Sequence, residues 1–338
     1  MILHAQAMRL DFHAIDDQAD GGWAPLFVRL WPAYRRWYLK EGVAARPTYT
    51  DCRRALQTHM PEMLPVWEAL VERAGGGDLA ARFLSLYEPP PYLSGCSQAV
   101  WPGAEPLLVR NYDYAATAFD GVCLRTGWGG RQVMGTSDCL VGLVDGINDA
   151  GLALSLTFGG RREVGSGFGV PMILRYVLQT CSSTAEATVA LRRLPSHMAY
   201  NVTVLDARRE LITALMAPGR ETLITPAPVA TNHQTRVDWV AHARMTATIE
   251  RERYLLQRMM LHEDAPEDFV AHFLRPPLYS LAFDRGFGTL YTAAYRPREQ
   301  SLSYHWPHYH WPLKLDAFQP GHRELHYPVG APAVSLHR

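Results

Sequence analysis

No stretch of the sequence stays apolar for the ~20 residues that a membrane span needs. Charge of one sign is not in excess either: Lys+Arg and Asp+Glu both number 33, and the formal net charge is zero. A balanced chain carries no electrostatic footprint for nucleic acid or for an anionic membrane surface. Neither is an expected partner. The opening MILHAQAMRLDFHAIDD lacks a basic stretch followed by an apolar one, so no signal peptide is expected. Cysteine is scarce, with five residues: Cys52, Cys96, Cys123, Cys139 and Cys181. An odd number without C-x-x-C spacing argues against a disulfide scaffold and against a zinc site. Reduced thiols and a cytoplasmic location fit that usage. A phosphate loop is missing too, because Gly165-x-Gly167-x-Gly169 is not followed by G-K-[ST]. No cofactor and no metal are expected.

What remains is an ordinary globular chain of 338 residues, 48% hydrophobic and 20% charged, enough for one large domain or two smaller ones. Residues 1–86 read as helical. Leu26, Phe27, Leu30, Trp31, Tyr34 and Trp37 share one helical face. A second helical run spans Met60 to Arg73, Gly75-Gly76-Gly77 breaks it, and Leu79 to Leu86 forms a third. Glu88-Pro89-Pro90-Pro91 is extended and leads to Ser94-Gly95-Cys96. From there strand-like runs take over, at 107–111, 122–125, 139–144 and 152–158. Two helices follow, at 170–180 and 184–194, the second capped by Ser182 or Ser183. Strands near 201–206, 211–216, 222–225 and 229–231 precede helices at 240–260 and 266–274. The last strands lie near 279–283, 289–295 and 301–306. This order predicts an α+β fold with antiparallel sheets.

Cys96 stands where the helical segment ends and the strands begin. On residue type alone a strand cysteine is a small buried hydrophobe. Its setting differs from that of the other four. Gly95 lacks a Cβ and tolerates the strained backbone that a peptide bond attacked by its own neighbour requires.

Four ordered strings carry a resemblance: PPPYLSGCSQ, LVRNYDY, LVDGINDAGLALSLTFGG and ATNH. Together they make the chain similar to the acyl-CoA:6-aminopenicillanic acid acyltransferase family, from about Met60 to near residue 300. That family is a C45-type branch of the N-terminal nucleophile hydrolases, related to choloylglycine hydrolases and penicillin V acylases. The resemblance implies a four-layer αββα sandwich made as a precursor and cut between Gly95 and Cys96. Residues 1–95 would be a helical pro-segment kept as a second subunit, and 96–338 the catalytic domain. The new α-amine, with a pKa of roughly 7.7–8.0, can take the thiol proton at neutral pH. The implied partners are a small-molecule acyl amide or acyl-CoA and the chain's own pro-segment, and a homo-oligomer is compatible with them.

The resemblance also assigns roles. Arg110 would favour the thiolate, and Asp113 would hold the α-amino group. Without the family, these two would read as a surface or structural pair. Asn232 would donate to the oxyanion, a contribution of roughly 2.7–4 kcal/mol, where residue type alone suggests a turn. Thr157 replaces the usual Asn or Tyr, leaving only its backbone N–H as an oxyanion donor. Arg251 matches an arginine that braces the site, although Arg253 is an equal candidate and a solvated helix face suits both. Asn148 reads as a turn residue. In HWPHYHW, at 305–311, an extended strand would put His308 and His310 on one face and His305 on the other, and an aromatic edge strand explains it better than a metal site. The rival to the enzyme is a catalytically silent small-molecule-binding protein on the same fold.

Overall fold

The structure, a computed structural model, describes residues 7–261 and 263–328. It opens with strand β1 (Ala7–Asp16) and helices α1 (Asp17–Asp20), α2 (Trp23–Tyr38), α3 (Tyr49–His59), α4 (Leu64–Arg73) and α5 (Asp78–Leu84). Strands β2 (Gly95–Val100), β3 (Leu108–Tyr114), β4 (Val122–Thr126), β5 (Val133–Asp138), β6 (Gly142–Asn148) and β7 (Leu152–Phe158) follow. Helices α6 (Val170–Thr180) and α7 (Thr184–Arg193) lead to β8 (Tyr200–Asp206), β9 (Leu211–Met216), β10 (Leu223–Thr225) and β11 (Val229–Ala230). The chain continues through α8 (Val240–Met245), α9 (Thr248–Leu261) and α10 (Pro266–His272). It closes with β12 (Leu281–Ala282), β13 (Phe287–Arg296), β14 (Ser301–Trp306), β15 (Tyr309–Lys314) and β16 (Gly321–Pro328).

The strands form two sheets. One has nine strands in the order β10-β9-β8-β7-β6-β5-β4-β1-β16; the other is a path β11-β2-β3-β13-β14-β15 with β12 added beside β13. Side chains meet between them: Gln98 of β2 donates to Thr203 of β8 at 2.7 Å and accepts from Ser155 of β7 at 2.6 Å. Helix α6 lies on the outside of the nine-stranded sheet, where Asn148 donates to the carbonyls of Leu178 and Cys181. On the far side of the other sheet, Ala99, Val109 and Ala294 pack against Leu255, Phe269 and Phe273 of the α9–α10 region. The result is the expected αββα sandwich.

Local chemistry sets several boundaries. Thr48 and Asp51 form a reciprocal capping box at the start of α3. Of the two candidate caps for α7, Ser183 is the one used, accepting from the Glu186 N–H. The helix expected over 240–260 is two helices, because Ala247 turns with φ +47° between them.

Residues 1–86 are not helical throughout. Strand β1 sits inside the nine-stranded sheet, parallel to β4 from His13↔Val122 and antiparallel to β16 from Ala7↔Pro328 to Ala14↔Gly321. Its buried Phe12 and Ala14 alternate with more exposed residues, the mark of a half-covered strand. The 305–311 stretch also differs from one extended strand. It is a hairpin turning at Pro307-His308, and His305 pairs with His310 across β14 and β15. Their rings stack at 6.0 Å. Among the described residues no group of His, Cys, Asp and Glu is arranged to hold a metal ion. No described helix is long and apolar enough to cross a membrane.

Candidate active site

Gly95 and Cys96 are the first residues of β2, paired with Asp113 and Tyr112 of β3. Gly95 keeps an ordinary strand backbone, since it is absent from the left-handed residues. Glycine is needed for close approach: a Cβ would lie 3.2 Å from both Asp113 Cβ and the Phe287 ring. Alternation along β2 points Cys96 and Gln98 into the space between the sheets and Ser97 outward toward α9.

The Cys96 side chain is fully buried. Arg110, from the same inner face of β3, places Nη2 3.3 Å from Sγ, and Ser94 Oγ lies 3.7 Å from it. Arg110 is itself clamped. Its Nε donates to the Leu156 carbonyl at 2.9 Å, Nη1 donates to Tyr291 Oη at 3.0 Å and pairs with Asp145, and its guanidinium lies 4.5 Å from the Tyr112 ring. Asp145 also accepts from Tyr291 at 2.7 Å and from Tyr295 at 2.5 Å. A fixed cation thus faces the thiol.

The backbone of Cys96 is held from the other side. Its N–H donates to Asn232 Oδ1 at 3.0 Å, and its carbonyl accepts from Arg251 Nη1 at 2.9 Å. Arg251 Nη1 also reaches Ser97 Oγ at 2.8 Å and Asp113 Oδ2 at 3.1 Å, while Nη2 donates to Asn232 Oδ1 at 2.5 Å. Thr289 donates to the other oxygen of Asp113 at 2.7 Å. Thr248, at the start of α9, accepts from the Asn232 N–H at 2.7 Å, so the arginine and the asparagine are set by the same helix.

Burial pushes the Cys96 thiol pKa up, and Arg110 opposes that shift. Burial likewise raises the Asp113 carboxyl against the pull of Arg251. Arg251 is lowered by burial, with Asp113 opposing. Burial works against the charge of Arg110 as well, yet Cys96, Tyr291 and Asp145 hold its pKa well above the ordinary value.

Five of the residues singled out in the sequence therefore converge: Cys96, Arg110, Asp113, Asn232 and Arg251. Arg251 is buried and Arg253 exposed, which separates two candidates that the sequence left equal. Asp113 contacts Arg251 and Thr289, and it is Asn232 that receives the Cys96 N–H. The Asn232 amide Nδ2 donates to the Phe158 carbonyl at 3.3 Å. Thr157 stands one step out, donating to the Thr231 carbonyl at 2.7 Å and accepting from Asn201 at 3.0 Å. Asn148 holds its turn by accepting the N–H groups of Ala150 and Leu152. The sequence reading missed Asp145, Tyr291 and Tyr295, the clamp behind Arg110. An acid inside the apolar run of β6 and two tyrosines four apart in β13 were the available signals.

The chain belongs to the acyl-coenzyme A:6-aminopenicillanic acid acyl-transferase family, whose sequence model matches residues 101–311, more than half of its length. The matched span opens just after Cys96. Among solved structures the chain is similar to a mutant conjugated bile acid hydrolase from Clostridium perfringens, at 14% identity over 72% of this chain and 100% of that one, with a TM-score of 0.47. Penicillin V acylase from Agrobacterium tumefaciens matches at 12% identity over 72% and 94%, with a TM-score of 0.44. The Caenorhabditis elegans ortholog of N-acylethanolamine-hydrolyzing acid amidase matches at 14% identity over 60% and 93%, with a TM-score of 0.45. No curated protein gives a significant match.

Proposed function

We propose that the protein is an N-terminal cysteine amidohydrolase or acyltransferase that makes its own N-terminus by cutting the Gly95–Cys96 bond. Cys96 Sγ attacks the Gly95 carbonyl carbon, the amide nitrogen leaves as the Cys96 amine, and a thioester forms. Water then adds to the thioester carbonyl, releasing the thiol and a Gly95 carboxylate. The freed amine, with a pKa of roughly 7.7–8.0, serves as base for its own thiol in later turnovers. A substrate acyl group passes to Cys96 as a thioester and then to water or to an amine.

The single observation that carries this reading is the buried Arg110 guanidinium 3.3 Å from Cys96 Sγ. A structural cysteine has no use for a clamped cation, whereas a nucleophile does. Asn232 and Asp113, linked through Arg251, would hold the new amine where the Cys96 N–H now lies. The Asn232 amide and the Thr157 backbone N–H are the candidate oxyanion donors. Residues 1–95 would remain as the second subunit, because β1 hydrogen-bonds to both β4 and β16.

The aromatics of 280–311 are numerous enough to line an acyl pocket. A cavity of about 560 Å³ does lie there, lined among others by Tyr279, Leu281, Trp306 and Tyr309, but none of the residues around Cys96 lines it. The test is a panel of N-acyl amino acids, penicillin V, bile-salt conjugates and acyl-CoA thioesters, with and without an amine acceptor. The expected result is a hydroxylamine-labile acyl adduct on the 96–338 fragment. A panel that leaves no adduct on Cys96 and yields no acid or new amide argues for the silent binding protein instead.

A further inference from the structure

Asn232 Oδ1 receives the Cys96 N–H, so whatever fixes Asn232 also fixes the place of the future amine. The residue lies in the loop between β11 and α8, and its neighbours hold it from several sides. Its own N–H donates to Thr248 Oγ1 at 2.7 Å. Asn201 of β8 donates from Nδ2 to the carbonyls on either side of it, those of Thr231 and His233, both at 2.9 Å. The remaining support is the His233 ring, nearly buried and set against α9. Its Nδ1 lies 3.0 Å from Thr248 Oγ1 and 3.3 Å from Thr231 Oγ1, and its Nε2 lies 3.3 Å from Glu252 Oε2. Those contacts lie on the side of Asn232 away from the thiol, and His233 has no role in the reaction above.

Counting hydrogens fixes which proton the ring carries. A carbonyl can only accept, so the Thr231 hydroxyl commits its hydrogen to the Thr248 carbonyl, 3.0 Å away. The 2.8 Å contact between the two hydroxyls then takes the Thr248 hydrogen. Thr248 Oγ1 is left with its two lone pairs. One accepts the Asn232 N–H. The other faces His233 Nδ1, so that nitrogen carries a hydrogen and donates it. The hydroxyl is thereby saturated, with one bond donated and two accepted. A ring protonated at Nε2 alone would suit Glu252 but would set two lone pairs against each other at Thr248. Glu252 steadies the far edge of the ring and makes no part of the bond that reaches Asn232.

We propose that His233 is a positioning residue: its Nδ1–H locks the Thr248 hydroxyl, and that hydroxyl sets Asn232 where its Oδ1 meets residue 96. Before the cut Oδ1 holds the Cys96 N–H, and afterwards it holds the amine. His233 itself moves no proton in either step. Thr248 opens α9 and Arg251 lies one turn further on, so the same hydroxyl ties the asparagine to the helix that carries its arginine partner. A buried hydroxyl that loses one donor reorients, and the hydrogen bonds it shares weaken with it. The task needs a donor at one place rather than an imidazole. An asparagine side chain puts an amide nitrogen near the Nδ1 position, whereas glutamine puts one near Nε2. The inference rests on the enzyme reading only for the use made of the amine; the relay is complete in the uncut chain.

Residue-resolved hydrogen exchange on the full Cys96→Ala chain reads the relay with no cutting involved. His233→Gln in that chain should lower the protection of the amides of residues 96 and 232 by roughly tenfold, the effect of one buried hydrogen bond. His233→Asn should keep that protection. A packing role predicts the opposite order, because glutamine fills more of the vacated space. That order, or equal protection in the two variants, overturns the proposal. In chains that retain Cys96, His233→Gln should slow cutting at Gly95–Cys96 and His233→Asn should restore it; cutting as fast in His233→Gln as in the wild type overturns it as well. Nitrogen-15 ring spectra of the wild type need no variant to fold: hydrogen on His233 Nδ1 is expected, and a bare Nδ1 overturns the relay. If the wild type fails to cut itself, the enzyme reading falls alone, and the exchange measurement still decides the relay.

Discussion

Replacing Arg110 with methionine separates its structural task from its chemical one. Arg110 and Asp145 are both fully buried and paired. Without the guanidinium, Asp145 keeps only the hydroxyls of Tyr291 and Tyr295. Breaking a buried pair from one side leaves an uncompensated charge and costs about 3–5 kcal/mol. Adding Asp145→Leu removes that charge, so the double variant should regain about 1–3 kcal/mol of the loss in urea unfolding. It should not regain all of it, since two buried tyrosine hydroxyls lose their acceptor. Chemistry should behave differently. Both variants lack the cation facing Sγ, whose pKa burial alone would push further up. Self-cleavage followed by intact mass at pH 7.5 should therefore be slow in both. Cleavage that recovers along with stability in the double variant would refute a direct role for Arg110 at the thiol. A single variant as stable as the wild type would refute the buried pair.

Arg251→Met removes one buried guanidinium from Cys96, Ser97, Asp113 and Asn232. It should cost about 3–5 kcal/mol and stop cleavage, whereas Arg253→Ala on the exposed face should change stability by less than about 0.5 kcal/mol. Asp138 gives a pH signature. Its folded pKa, about 6, lies above the ordinary carboxyl value, so the folded state binds the proton more tightly and the contribution of this group to stability is lost as pH rises from about 4 to about 6. Asp138→Asn should flatten that segment of the urea-unfolding profile and be more stable than the wild type at pH 7; an unchanged profile refutes the buried charge. Once cut, the two fragments should co-elute in gel filtration and separate only in denaturant, because β16 is tied to its sheet through β1. Dissociation in native buffer would contradict that sheet order.

Much of this architecture was legible because antiparallel strands alternate and turns carry their own residues. The strands expected at 107–111, 122–125 and 152–158 match β3, β4 and β7, and the α6–α7 pair lies near its expected place, whereas the strand expected at 139–144 begins in the turn before β6 and β5 was missed. The first strand was not legible. β1 is half polar, and its buried residues Phe12 and Ala14 find their partners on β4 and β16, far away in sequence. The site divides the same way. Cys96, Arg110 and Asp113 sit on adjacent strands, so their proximity follows from short hairpin pairing. Arg251 required tertiary placement, although its burial in step with Leu255 and Met259 continues one helical stripe. Asp145 and Asp138 carry no local signal beyond being acids at the heart or end of apolar strands. What each faces is decided by the opposite sheet and by α2.

Intact mass of the purified chain after incubation at neutral pH reads self-cleavage itself. Two fragments that meet between Gly95 and Cys96 are expected in the wild type, and a single uncut chain in Cys96→Ala. A wild-type chain that stays whole, with Cys96 alkylated by iodoacetamide no faster than the other four thiols, would contradict it.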